Sequence, residues 1–227
     1  KSPIILATSE GAIEYAGMEY LYALAKTASE QTKIPIALHL DHGRDMKIIE
    51  KAIKIGYSSV MIDASHETFE KNIALTKKVV QMAHRKGISV EAELGTIGGV
   101  EDTVASRNIL YTNPAKAHEF IQRTGCDFLA IAIGTSHGAY KFSGKAHLQM
   151  DILKEVKKKV KIPLVLHGAS CVPLSAVKEA QKYGANLKRV QGVPDAQIKM
   201  AVKNGVCKFN TDTDLRIAFD AGVRKTI

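Results

Sequence analysis

Short runs of Val, Ile, Leu and Ala alternate along this chain with longer stretches whose apolar positions recur every three or four residues. The apolar runs fall at 3–8, 34–40, 58–63, 89–93, 128–133, 163–167 and 205–210. Each is too short for a helix and rich in aliphatic residues, as a parallel strand covered on both faces is. Between them lie amphipathic segments such as ETFEKNIALTKKVVQMAHRKG. Strands and helices alternating at this pitch predict an α/β protein of repeated βα units. The specific expectation is a (β/α)8 TIM barrel with about seven of its eight strands present. No linker-like or low-complexity stretch divides the chain, so residues 1–227 are expected to form a single domain. The chain opens directly before a strand and stops within a predicted helix. A partial barrel is therefore expected, without its first βα unit and its C-terminal helices.

Composition narrows the function classes. A core built from 227 residues needs no disulfides, and the three cysteines are far apart with no CxxC pair, so a disulfide framework or structural zinc knuckle is not expected. The absence of a long apolar span and of a leader pattern points to a cytoplasmic protein with no membrane partner. A net charge of +9 arises from lysines spread over helix faces such as KEVKKKVK, without interleaved aromatics that would stack bases. Nucleic acid is not expected as a partner. A positive field of this kind favours a phosphorylated small molecule.

Three histidines stand at or just past the ends of three apolar runs: His42 in PIALHLDHG, His137 in FLAIAIGTSHG and His167 in PLVLHGAS. If the strands share one sheet, these imidazoles converge. Three neutral imidazoles with an open fourth position make a catalytic zinc site, because the vacancy accepts a substrate oxygen. Asp41 sits beside His42, either as an acid or base on a metal-bound substrate or as a carboxylate orienting an imidazole. His39, on the same strand face as Asp41, is expected behind the ligands rather than among them. His84, His118 and His147 are expected at the surface or in ordinary packing, and His66, near a helix start in DASHETFEKN, as a capping-region residue.

Glu91 and Glu93 share one face of a strand, with Asp63 at the corresponding position of its neighbour. Buried carboxylates need compensation, which a second metal position, a polar network or an ion pair with Lys or Arg would supply. Residues 94–113 form a long, glycine-bearing connection that carries Glu101 and Asp102, a candidate mobile flap. The segments GTSHGAYK, LHGAS and NTDTD follow successive strands with small residues and hydroxyls, a pattern suited to cradling phosphate on backbone N–H groups.

Taken in order, HLDHG, MIDASH, VEAELG, GGVED, GTSHGAYK, LHGAS and NTDTDLR resemble the class II, metal-dependent fructose-bisphosphate aldolases over essentially the whole chain. The resemblance implies a (β/α)8 barrel that cleaves fructose 1,6-bisphosphate to dihydroxyacetone phosphate and glyceraldehyde 3-phosphate, or condenses them. It implies Zn2+ on His42, His137 and His167. Glu93 would bind the ion in an alternative position, with Asp63 beside it in the metal set. A monovalent cation near the phosphate site is a further expectation. Asp41 is implied as the acid/base on the C4 hydroxyl, and Glu101 as the carboxylate that moves the C3 proton. Gly138, Lys141, Gly168, Ser170, Asp212 and Thr213 match phosphate-binding positions. Asn210 and Ser9 match substrate contacts, and Arg216 a contact to the second phosphate. A homodimer or larger homo-oligomer is implied. Tagatose-bisphosphate aldolase is the neighbouring alternative on the same scaffold. A non-catalytic metal- or phosphate-binding barrel remnant is the alternative of another class, against which the pair Asp41 and Glu101 counts.

Overall fold

In a computed structural model of the chain, which describes residues 2–101, 104–106, 110–137, 147–187 and 190–227, each of the seven apolar runs forms a strand. In chain order the elements are β1 (Ile4–Ser9), α1 (Glu10–Ala16), α2 (Met18–Gln31), β2 (Ile36–Gly43), α3 (Met46–Ile55), β3 (Ser59–Ile62), α4 (Phe69–His84) and β4 (Ser89–Leu94). They continue with β5 (Gly98–Glu101), β6 (Val104–Ser106), α5 (Pro114–Thr124), β7 (Phe128–Ile131), β8 (Ser136–His137), α6 (Met150–Lys159) and β9 (Leu164–Leu166). The last are α7 (Leu174–Lys182), α8 (Asp195–Lys203), β10 (Val206–Phe209) and α9 (Thr213–Thr226). One seven-stranded sheet has the order β1-β2-β3-β4-β7-β9-β10, with β1 through β4 paired parallel and β9 parallel to β10. The strand order follows the sequence order, as repeated right-handed βα units require.

The chain packs as two compact units, Lys1–Glu93 with Glu119–Leu129, and Leu94–His118 with Ala130–Ile227. In the first, α3 shows how sequence becomes element. The Asp45 side chain accepts from the Lys47 N–H at 2.8 Å to start it, and Gly56 at φ 107° ends it in the left-handed region. Its stripe of Ile49, Ala52 and Ile53 is buried, as are Leu40, Val60, Met61 and Val90 of the strands. Full burial of such a side chain stabilises the fold by about 1.5–3 kcal/mol. In the second unit α7 and α9 close over Val172, Val177, Ala180, Val190, Ile217 and Ala221.

The described part of the connection at 94–113 contains two short strands. β5 pairs antiparallel with β6 through Gly99–Ser106, Val100–Ala105 and Glu101–Val104, and parallel with β8 through Gly98–Ser136 and Gly99–His137. A three-stranded sheet ordered β6-β5-β8 results. The glycines and acidic residues read as loop in the sequence, but Val100 and Val104 are β-branched residues that favour strand.

Candidate metal centre

β2 does not run straight into its loop. Its pairing with β3 shifts register between Leu40 and Gly43, and His42 lies at φ 47°, a left-handed conformation that only two non-glycine residues adopt among those described. An irregularity of this kind re-aims side chains, and here it falls on Asp41 and His42. Gly43 makes it possible, since a Cβ there would stand 2.5 Å from the Met61 carbonyl oxygen.

His42 Nδ1 donates to Asp63 Oδ2 at 3.1 Å, which fixes the orientation of the imidazole. Asp63 accepts further bonds from Arg44, through Nε at 3.1 Å and Nη2 at 2.8 Å on the same Oδ2. Ser65 donates to Oδ1 from its N–H at 3.2 Å and its hydroxyl at 2.7 Å. Of the forms of compensation open to a carboxylate here, an ion pair is present, with Arg44, together with the polar bonds from Ser65. Burial by itself would push the Asp63 carboxyl up. The hydrogen bond and charge of His42, with Arg44 and Ser65, overcome it and hold the group well below the usual carboxylate range. For His42, burial opposes a charge, but the negative Asp41, the bond to Asp63 and the charge of Glu93 outweigh it and push the imidazole up to about 10. Glu93 is driven up to about 8 by its burial and by the charge of Asp63.

His39 is buried behind this group. Its Nδ1 lies 2.9 Å from Ser59 Oγ, and its Nε2 lies 3.6 Å from Glu91 Oε2 and 4.0 Å from Asp41 Oδ1. Asp41 itself is only partly buried, at 13 % side-chain exposure, and so faces solvent-accessible space beside His42.

In the second unit His137 ends β8 and His167 follows β9, with ring centroids 6.3 Å apart. Gly168, at φ 59°, lets β9 leave close to β8, since a Cβ would stand 2.5 Å from the Ser136 carbonyl oxygen. Within the first unit the buried His42, Asp63 and Glu93 present ligand atoms within 4.8 Å of one another, and within the second the buried His137 and His167 do so. The second group is all imidazole, which suits a borderline ion such as zinc. Glu93 Oε2 is buried with no hydrogen-bond partner among the described residues, an arrangement that fits a nearby cation.

Past β9, the loop meets the start of α9. Ser170 Oγ accepts from the Asp212 N–H at 3.3 Å, and Asn210 donates its N–H to the Leu166 carbonyl at 2.9 Å. Asp214 accepts from the N–H groups of Cys171 and Val172 at 3.2 and 2.7 Å. Asp212 Oδ2 accepts from Arg216 Nε at 2.6 Å, and the side-chain Oδ1 of Asn210 accepts from Lys208 Nζ at 2.7 Å.

The sequence model described as "Fructose-bisphosphate aldolase class-II" matches residues 1–227. A fructose-bisphosphate aldolase of Helicobacter pylori (strain ATCC 700392 / 26695) is 51 % identical, over 99 % of this chain and 74 % of its own length. One from Thermus caldophilus is 47 % identical, over 100 % and 75 %. Among solved structures, the YdjI aldolase from Escherichia coli K12 superposes with a TM-score of 0.78 at 35 % identity, covering 99 % of this chain and 72 % of that one.

The chain belongs to the class II fructose-bisphosphate aldolase family. In this class II aldolase the expected residues Gly168, Ser170, Asn210, Asp212, Thr213 and Arg216 lie together around the exit of β9, the end of β10 and the first turns of α9. Ser9 caps α1, accepting from the Ala12 N–H at 3.1 Å. Glu101 ends β5. Gly138 and Lys141 lie outside the described residues, as does Asp102. Arg44, Ser65 and Asp214 were not singled out from the sequence. The signal for Arg44 was its place directly after His42-Gly43, where a fixed cation can reach back to a buried carboxylate. His84, His118 and His66 lie at the surface, with Asp127, the Lys159 carbonyl and Glu67 as their partners.

Proposed function

We propose that this chain catalyses the reversible aldol cleavage of fructose 1,6-bisphosphate to dihydroxyacetone phosphate and glyceraldehyde 3-phosphate. Family membership over the full chain supports this, and the observation that carries it is the buried imidazole pair His137 and His167, with ring centroids 6.3 Å apart, beside a third strand-exit histidine in the sequence, His42, that is buried too. His42, His137 and His167 would hold Zn2+, with Glu93 as an alternative ligand. Zinc in such a site supplies a Lewis acid that polarises the substrate's carbonyl and hydroxyl oxygens.

The remaining steps belong to the chain's own residues. In cleavage Asp41 takes the proton of the C4 hydroxyl, the C3–C4 bond breaks, and C4 becomes the aldehyde carbon of glyceraldehyde 3-phosphate. Glu101 then delivers a proton to C3, which completes dihydroxyacetone phosphate. Condensation uses the same two carboxylates in reverse. Backbone N–H groups around Gly168 and Ser170, with Asp212 and Thr213 at the start of α9, would cradle one phosphate, joined by Gly138 and Lys141. Asn210 and Ser9 would contact the sugar, and Arg216 the second phosphate. A monovalent cation beside the phosphate, a cytoplasmic location, a single domain over residues 1–227 and a homo-oligomer belong to the same proposal.

The test is cleavage of fructose 1,6-bisphosphate by the purified chain, read by NADH-coupled reduction of dihydroxyacetone phosphate, with tagatose 1,6-bisphosphate alongside. Dialysis against a strong chelator should abolish turnover and Zn2+ should restore it, while borohydride added with substrate should trap no adduct. Turnover that survives exhaustive chelation would overturn the zinc assignment. Faster cleavage of the tagatose epimer would overturn the choice of sugar.

A further inference from the structure

Asp63 is a buried carboxylate whose acceptor capacity is already full. It is 1 % exposed, and the donors on it come from His42 Nδ1, Arg44 Nε and Nη2, and the Ser65 N–H and hydroxyl. A carboxylate offers roughly four lone-pair positions. Arg44 is held at both ends. Its backbone N–H and that of Asp45 donate to Glu10 Oε1 at 2.7 and 2.8 Å, while its guanidinium closes on Asp63. On distance alone, however, His42, Asp63 and Glu93 form a ligand set, and Glu93 Oε2 is buried with no hydrogen-bond partner among the described residues.

We propose that Arg44 is a resident cation that keeps divalent ions out of the His42–Asp63–Glu93 pocket and so reserves His42 for the three-histidine set. An ion entering the pocket would need an Asp63 lone pair that Arg44 already holds. It would also sit beside a guanidinium that never loses its charge. Two carboxylates and one imidazole suit harder ions such as Mn2+ better than three imidazoles do. Arg44 thereby acts as a specificity-determining residue, favouring an imidazole-bound ion over an oxygen-bound one. Its functional meaning depends on His42, His137 and His167 being ligands, but its test does not.

The pocket is isolated by breaking the three-histidine set with His137→Ala, and Mn2+ uptake is followed through loss of the free-ion paramagnetic resonance signal. The His137→Ala chain should bind Mn2+ weakly. Adding Arg44→Gln should tighten binding at least about tenfold, since a unit charge within a few ångströms of a divalent ion is removed. Adding Glu93→Gln to that pair should cancel the gain. Arg44→Lys, which keeps the charge, should resemble the Arg44 parent and serves if the Gln chain does not fold. Mn2+ affinity within about twofold of the parent for Arg44→Gln, a gain that persists without Glu93, or a Lys chain that binds Mn2+ as tightly as expected for Gln would each overturn it. Loss of aldolase turnover in the parent chain bears on the function proposed above and leaves this result unaffected.

Discussion

At the scale of single residues, the site depends on backbone that only certain side chains permit. Gly43 is the plainest case. A methyl group there meets the Met61 carbonyl oxygen at 2.5 Å and Ile49 Cγ1 at 2.9 Å, and the first of these is backbone that cannot swing aside. Gly43→Ala should cost at least about 2 kcal/mol, within the range for overpacking a closed site. Urea denaturation of the metal-free chain checks this, and an unchanged midpoint would refute it. The histidines themselves were legible because each sits at a strand exit with glycine directly after it. The bulge that turns Asp41 and His42 was not, since it arises from pairing between β2 and β3 that no local pattern announces. Arg44 was equally hidden, because its meaning lies in a carboxylate 19 positions away.

At the scale of elements, the exit of β9 is secured by the helix it faces. Asp214, in the first turn of α9, accepts two backbone N–H groups from the segment after Ser170, where Val172 is held at φ 49°. Charge-assisted bonds of this type are worth more than neutral ones. Asp214→Ala should lower stability by about 1–3 kcal/mol and release the Ser170 loop. With fructose 1,6-bisphosphate as substrate, KM should rise by more than kcat falls, because the loop is proposed to bind phosphate. Steady-state kinetics decide this, and a pure kcat defect would place Asp214 elsewhere in the mechanism. The seven sheet strands were readable from their apolar runs. The strands β5, β6 and β8 were not, because their segments GGVE, VAS and SH hold glycine, acidic and hydroxyl residues in place of a continuous apolar run.

At the scale of the whole molecule, the metal-free site titrates against the fold. Glu93 is raised to about 8 and His42 to about 10. A group whose folded pKa lies above its unfolded value favours the fold at low pH and loses that contribution as pH rises towards the folded pKa. The windows run from about 4.3 to about 8 for the glutamate and from about 6.5 to about 10 for the histidine. Asp63 acts in the opposite sense, its contribution being lost only on acidification below about 3.9. The metal-free chain should therefore melt at lower temperature at about pH 9 than at about pH 6, on the basis of these opposed windows. Zn2+ binding must displace the same protons, so its affinity should grow over this range and the gap between loaded and metal-free melting temperatures should widen. Thermal melts at matched ionic strength test both statements. A gap that narrows with rising pH would show that protons and the ion do not compete for these groups.

The unusual backbone of His42 sets function against comfort. Most side chains resist a φ of 47°, while Asn tolerates it better than His. Asp63 would keep Arg44 and Ser65 if the imidazole were lost. His42→Asn should consequently give a chain that still folds without metal, exchanging the imidazole's charge contribution for backbone relief, yet turns over no substrate. Such a variant would be dead without being damaged, and a melting temperature well below the parent's would contradict it.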